Sequence, residues 1–170
     1  ARASAAPTGV TILTLSAEGA GSLINAARAG APFKATAPRE AGDIAAILYT
    51  TGTTGRSKGA MLTHENLSSN ALTLCDLWGF RAGDVLLHAL PVFHIHGLFV
   101  ALNTSLLNAS EVIFLPKFDA GECRREMRRA TVMMGVPTFY TRLLADPDFG
   151  GADSAHIRLF ISGSAPLTGE

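Results

Sequence analysis

From residue 84 onward, short apolar β-rich runs alternate with helical stretches, and this alternation limits the chain to few folds. Asp84–Leu90, Glu111–Leu115, Thr131–Val136 and Ile157–Ser162 read as strands. Between them, Gly97–Leu107, a segment from Asp119 to about Arg129, and one from Pro137 to about Ala145 read as helices. Consecutive strands joined through helices pair in parallel, so the pattern predicts an α/β fold, a mostly parallel sheet flanked by helices. In such sheets ligands bind at the carboxyl ends of the strands. Pro91–His96, Gly135–Thr138 and Ser162–Pro166 occupy those ends.

The first half is less regular. Residues 1–9 and 29–42 are rich in Ala, Gly and Pro and read as loop or linker, with a short strand at Val10–Leu15 and a short helix at Ser22–Ala29 between them. Asp43–Thr50 and Lys58–Leu62 read as a hairpin. Thr63 is a good N-cap for a helix to about Trp78, with Glu65 in its first turn. Asp119 with Glu122 forms a capping-box pattern. The expected division is residues 1–42 and 43–170.

The 170 residues carry no net charge, 48% are hydrophobic and 16% are charged. That supports a core and gives no reason to expect nucleic acid as a partner. Cys75 and Cys123 lie far apart without a CxxC pair, which argues for a reducing compartment, here the cytoplasm, and against a disulfide framework. No signal-peptide pattern opens the chain. The most apolar window, Val85–Leu107, contains three histidines and a proline, so no membrane span is expected.

The hairpin encloses YTTGTTGRSKG, which places four Thr, one Ser, three Gly and two cations in eleven residues. Backbone N–H groups, hydroxyls and a lysine together suit a polyanion, although such a composition also fills ordinary surface turns. A Walker loop is excluded, because the residue five after Gly52 is Ser57 rather than Gly, and Gly59 follows Lys58 where Ser or Thr is required. The stretch instead resembles the phosphate-binding signature of the adenylate-forming acyl-CoA synthetases. Tyr49, Thr50, Gly52, Thr53, Thr54, Gly55, Lys58 and Gly59 match that signature, with Thr51 where Ser is usual and Ser57 where Pro is usual. PVFHIHGLF, GVPTFYTRL and ISGSAPL resemble the later motifs of that family in the same order, and their wording is similar to that of malonyl-CoA synthetases.

The resemblance implies a partial large N-terminal domain of that fold. It also implies ATP-dependent ligation of malonate to coenzyme A through a malonyl-adenylate, with Mg²⁺ accompanying ATP. Another carboxylic acid, or a truncated nucleotide-binding remnant, remains as an alternative. Thr50, Thr51, Gly52, Thr53, Thr54, Gly55 and Lys58 would grip the ATP phosphates. Gly163, Ser164, Ala165 and Pro166 would face the adenine. His94 would contact the reacting carboxylate, and Arg142, with hydrogen bonds added by Ser162 and Ser164, would hold the second carboxylate of malonate. Arg142 read without the resemblance is a surface arginine, His94 a hydrogen-bonded core residue, and the HxH pair at His94 and His96 a metal site lacking a third ligand nearby. Arg124, Arg125, Arg128 and Arg129 read as a solvated face. No metal site is expected within these residues. The resemblance places the magnesium-binding Glu and a lysine-bearing C-terminal domain beyond Glu170, so the 170 residues alone are expected not to turn over.

Overall fold

The computed structural model describes residues 10–32, 34–50 and 58–166; of Thr50 it describes the backbone alone. The chain forms two units, residues 1–39 and 40–170.

In the first unit the helix α1 spans Ser22–Ala29. Val10–Leu15 forms no strand, contrary to the sequence expectation. The reason lies in where its polar groups go. Thr14 N donates to Ser22 Oγ at 2.8 Å, Ser22 N donates to Thr14 Oγ1 at 3.1 Å, and Thr14 O accepts from Leu23 N at 3.1 Å. A β-branched run whose backbone bonds serve the start of a helix has no ladder to join.

The second unit opens with an antiparallel hairpin, β1 (Ile44–Thr50) and β2 (Lys58–Thr63), in which Thr50 opposes Lys58 and Tyr49 opposes Gly59. Gly59 is needed for that pairing, since a Cβ there would come within 2.8 Å of Ile47 Cγ2. Thr63 then caps α2 (His64–Leu77), accepting from Asn66 N while Asn66 Oδ1 accepts from Thr63 N.

The remaining strands are β3 (Val85–His88), β4 (Glu111–Phe114), β5 (Val132–Gly135) and β6 (Leu159–Ser162). They form a wholly parallel sheet in the order β4-β3-β5-β6. Each strand is shorter than its apolar run, by one to three residues. Leu86, Val132 and Met134 pack on one face with Ala101 and Leu90. Leu87 and Met133 pack on the other with Cys123, Met127 and Leu143. A helix expected over Gly97–Leu107 begins as a π-helical segment, His96–Leu102, and continues as α3 (Asn103–Leu107). The crossovers on the other side are α4 (Ala120–Met127) and α5 (Pro137–Leu144). Asp119 caps Glu122 N at 2.9 Å, but the described residues show no return bond from the Glu122 side chain, so only half of the expected capping box forms.

Arg125, Arg128 and Arg129 are exposed, as expected of a solvated face, but three of the four arginines are also ion-paired. Arg124 reaches Asp146 and Asp148, Arg128 bonds Asp153 at 2.7 Å, and Arg129 bonds Glu126 at 2.9 Å.

The amino end of the sheet is closed by one polar cluster. Asp84 is 2% exposed. Its carboxylate accepts from Thr131 Oγ1 at 2.9 Å, from Arg81 N at 2.8 Å and from both Nε and Nη2 of Arg158. Thr131 Oγ1 in turn accepts from Val85 N at 2.9 Å. The starts of β3, β5 and β6 are thereby tied together. Burial works to raise the Asp84 pKa, but the bonds from Arg158, Arg81 and Thr131 outweigh it and hold the carboxyl below its ordinary value.

Removing one partner of a buried pair strands the other charge. Arg158→Ala is therefore expected to destabilise the sheet by about 3 kcal/mol, read in the full-length protein as faster hydrogen exchange of β3, β5 and β6 amides; unchanged exchange would contradict it. The sign with pH follows from the lowered folded pKa. The contribution is complete above the unfolded carboxylate value of about 4 and is lost as pH falls through the lower folded one.

Candidate active site

Strand order places the site before any side chain is considered. From β3 the chain crosses to β4 on one side, then returns to β5 on the other. The sheet therefore has a topological switch point at the carboxyl ends of β3 and β5, where a crevice opens in folds of this kind. A cavity of about 500 Å³ lies there. Its walls include Pro91, His94 and His96 from the turn after β3, Val136 after β5, Ser164 after β6, and Tyr49 from the hairpin.

The turn after β3 is held in place by Gly97. Its Cα lies so close to the Pro91 carbonyl that a Cβ would overlap that oxygen and lie 3.3 Å from Leu90 Cβ. The chain enters the π-helical segment directly from this contact, and Leu98 N donates back to His94 O at 3.0 Å. π-helical turns recur at functional sites, because the wider winding redirects side chains. Here the consequence is that His94 and Phe93 stand exposed with rings 4.5 Å apart, while His96 is buried.

The turn after β6 is anchored from several sides. Gly163 N donates to Gly135 O at 3.2 Å, and Tyr140 Oη donates to Ile161 O at 2.6 Å. His96 Nδ1 lies 3.1 Å from Ser164 Oγ. Ser164 adopts a φ of 67°, a left-handed conformation that few non-glycine residues take. Burial pushes the Tyr140 phenol well above its ordinary pKa, so it stays a donor.

Of the sequence-predicted residues, His94 and Ser164 meet at the cavity. Gly163 and Ser162 line a smaller cavity of about 420 Å³ behind the same turn, with Ile95, His96 and Ser164. Ser162 Oγ is buried and finds no hydrogen-bond partner among the described residues. Ala165 and Pro166 are exposed. Lys58 is exposed at the first position of β2, opposite Thr50. Thr51, Gly52, Thr53, Thr54 and Gly55 lie outside the described residues, as does the Thr50 side chain.

Arg142 stands elsewhere. It is exposed on α5, with its guanidinium 4.8 Å from the centroid of the Phe118 ring, which stacks on Phe139 at 4.1 Å. Phe118 and Phe139 line a separate apolar cavity of about 480 Å³, divided from the first by the Pro91–Phe93 turn.

Three residues of the site were not singled out from sequence or were weighed evenly. Tyr140 is one; its signal was a polar-tipped aromatic on the inner side of a short helix. His96 is the second, and the adjacent Gly97 marked it as a close-packed position. His88, at the end of β3, is the third. It is fully buried with its ring 5.1 Å from that of Phe114, and neither ring nitrogen has a partner among the described residues. Burial lowers the His88 pKa, opposed by a backbone interaction with Leu90 and aided by a smaller contribution from His96, and burial alone lowers that of His96, so both rings favour the neutral form. Burial also pushes the Cys123 thiol up to about 11; both cysteines are free. Among the described residues, no group of three His, Cys, Asp or Glu forms a metal site, and no helix is long and apolar enough to cross a membrane.

A family model described as AMP-binding enzyme matches residues 2–170. The chain is 38% identical over 145 residues to a malonate–CoA ligase of Arabidopsis thaliana, an alignment covering 74% of this chain and 24% of the relative. It is also 38% identical over 130 residues to a long-chain-fatty-acid–CoA ligase of Bacillus subtilis, covering 74% and 23%. Among solved structures it is similar to ATP-bound MatB from Rhodopseudomonas palustris, with a TM-score of 0.88 and 59% identity over 94% of this chain and 32% of that one. The chain thus spans about a quarter of the length of these curated relatives and about a third of the solved one.

The Gly97 contact gives a direct test of the site's frame. Gly97→Ala is expected to cost about 2 kcal/mol through overpacking against the Pro91 carbonyl, seen as a lowered melting temperature of the full-length protein. An unchanged melting temperature would show that the turn is free to move.

Proposed function

Because this chain belongs to the AMP-binding enzyme family, we propose that it serves the ATP-dependent joining of malonate to coenzyme A through a malonyl-adenylate, with release of AMP and pyrophosphate. The observation that carries this reading is the convergence of the His94–Gly97 turn and Ser164, from the turn after β6, on one cavity at the sheet's switch point. The malonate–CoA ligases among the relatives, 38% identical in Arabidopsis thaliana and 40% identical in mouse, support malonate as the acid.

In the first half-reaction a carboxylate oxygen of malonate attacks the α-phosphorus of ATP, and pyrophosphate leaves with the electron pair of the broken P–O bond. In the second, the coenzyme A sulfur attacks the acyl carbon and AMP leaves. No covalent bond to the protein is required, so the residues contribute alignment and charge stabilisation. His94 meets the reacting carboxylate. The Gly163–Pro166 turn takes the adenine. Lys58, with Thr50–Gly55, meets the phosphates, with Mg²⁺ neutralising part of their charge. Arg142 and Ser162 pair the second carboxylate, with Ser164 adding a hydrogen bond; a buried carboxylate left without such a partner would be costly. For Arg142 this role requires its flexible side chain to leave the Phe118 ring, a move its exposure permits.

One observation favours a second reading, ligation of a different acid by the same chemistry. Arg142 rests on Phe118 outside the cavity, and the cavity beside it is apolar. The equal identity to a fatty-acid ligase fits that reading as well.

One experiment separates them. Full-length protein with Mg-ATP and coenzyme A is expected to form malonyl-CoA and AMP in equal amounts from malonate. Arg142→Ala is expected to raise the malonate KM about 30-fold, the equivalent of about 2 kcal/mol for a lost charged hydrogen-bond pair. Turnover of malonate unaffected by Arg142→Ala would assign the second carboxylate elsewhere, and turnover confined to monocarboxylic acids would establish the second reading.

A further inference from the structure

The turn after β6 leaves a strand that is paired on one edge only among the described residues, since β6 ends the order β4-β3-β5-β6. The last two residues of that strand, Ile161 and Ser162, lead directly into Gly163 and Ser164. A group from a different layer fixes the direction of this exit. Tyr140, on α5, donates its hydroxyl hydrogen to Ile161 O at 2.6 Å, with Met133 O of β5 at 3.3 Å. Both partners are carbonyl oxygens, which can only accept, so the direction of the bond is certain. Burial holds the phenol well above its ordinary pKa, so the hydrogen stays in place at neutral pH.

The chain makes room for this reach. At Gly135 a Cβ would stand 3.3 Å from Tyr140 Cζ and 3.1 Å from Phe139 Cδ2. Phe160 meets the Tyr140 ring edge-on, with centroids 6.0 Å apart. A phenylalanine at this position would keep the ring contacts and lose only the hydroxyl. That hydroxyl acts on one peptide unit. Ile161 O shares a rigid plane with Ser162 N, so a bond to the oxygen sets the orientation of the plane from which Ser162, Gly163 and Ser164 continue. Gly163 N then donates to Gly135 O at 3.2 Å, and Ser164 takes its φ of 67°. Such a conformation persists only where neighbours over-determine it. His96 reaches the Ser164 side chain, and Tyr140 holds the backbone that leads to it.

We propose that Tyr140 is a positioning residue whose hydroxyl holds the 161–162 peptide so that the backbone of the Gly163–Ser164 turn meets the adenine of ATP in one preset geometry. Tyr140 lines neither cavity at this turn, so it acts through the backbone and not by touching the ligand. The proposal rests on the reading of the turn as adenine-binding given above.

The test uses full-length protein and Tyr140→Phe. The ATP KM is expected to rise about fivefold, equivalent to about 1 kcal/mol for one lost hydrogen bond, with kcat and the malonate KM unchanged. The Gly163 amide is expected to exchange its hydrogen faster than in the wild type. Arg158→Ala is the control for stability alone. It weakens the opposite end of the same sheet and is expected to leave the ATP KM unchanged. A lower melting temperature of Tyr140→Phe with an unchanged ATP KM would make the hydroxyl merely structural and overturn the proposal. An equal rise in the ATP KM of Arg158→Ala would do the same, because the KM would then follow stability. Wild-type protein that does not use ATP would refute the functional reading. Exchange at Gly163 would still decide whether Tyr140 sets the turn, and an unchanged rate would show that it does not.

Discussion

The burial of β3 and β5 between two helical layers is the constraint on which the rest depends. Each of these strands has a sheet neighbour on both edges, and residues such as Leu86, Leu87, Val132, Met133 and Met134 are fully buried. A buried parallel sheet satisfies its backbone groups internally and admits little but apolar side chains along its length. Polar chemistry is thereby confined to the two ends. The amino end holds Asp84, Thr131 and Arg158, whose work is to bind strand starts together. The carboxyl end holds His94, His96, Ser162 and Ser164. His88 is the departure from this rule, and burial keeps its ring neutral because desolvation disfavours the charged form more strongly than the neutral one.

The carboxyl end is also where the backbone departs from regular structure. A π-helical start, a glycine pressed against a carbonyl and a serine at positive φ all occur within the same small region. Each alone is a modest expense of stability. Together they turn His96 inward and leave His94 facing the cavity, and they bring residues almost seventy positions apart in sequence into hydrogen-bond contact. Strain concentrated beside a cavity, and supported by a rigid sheet, is what pre-organisation of a site requires.

Much of this was legible in the sequence. The alternation after residue 84 announced the parallel sheet, and the ends of its strands marked the cavity, because periodicity and apolar runs report burial directly. Thr63 and Asp119 announced helix starts because capping is local chemistry. What depends on distant partners was not legible. Val10–Leu15 has strand composition, yet its bonds go to Ser22 and Leu23. Arg158 and Asp84, 74 positions apart, meet only through the crossover of the sheet. The arginines of α4 find Asp146, Asp148 and Asp153 for the same reason. Arg142 shows the limit most clearly: its interruption of an apolar helix suggests a buried ligand, while its guanidinium lies on an aromatic ring.

The central claim is that the two turns at the carboxyl end of the sheet form one nucleotide- and acid-binding site. Its most direct test is a crystal structure of the full-length protein with AMP and malonate. The account predicts the adenine against Gly163–Pro166 and a carboxylate within hydrogen-bond distance of His94 in the same cavity. Nucleotide bound away from the Gly163–Pro166 turn, or malonate outside the cavity lined by His94 and Ser164, would contradict it.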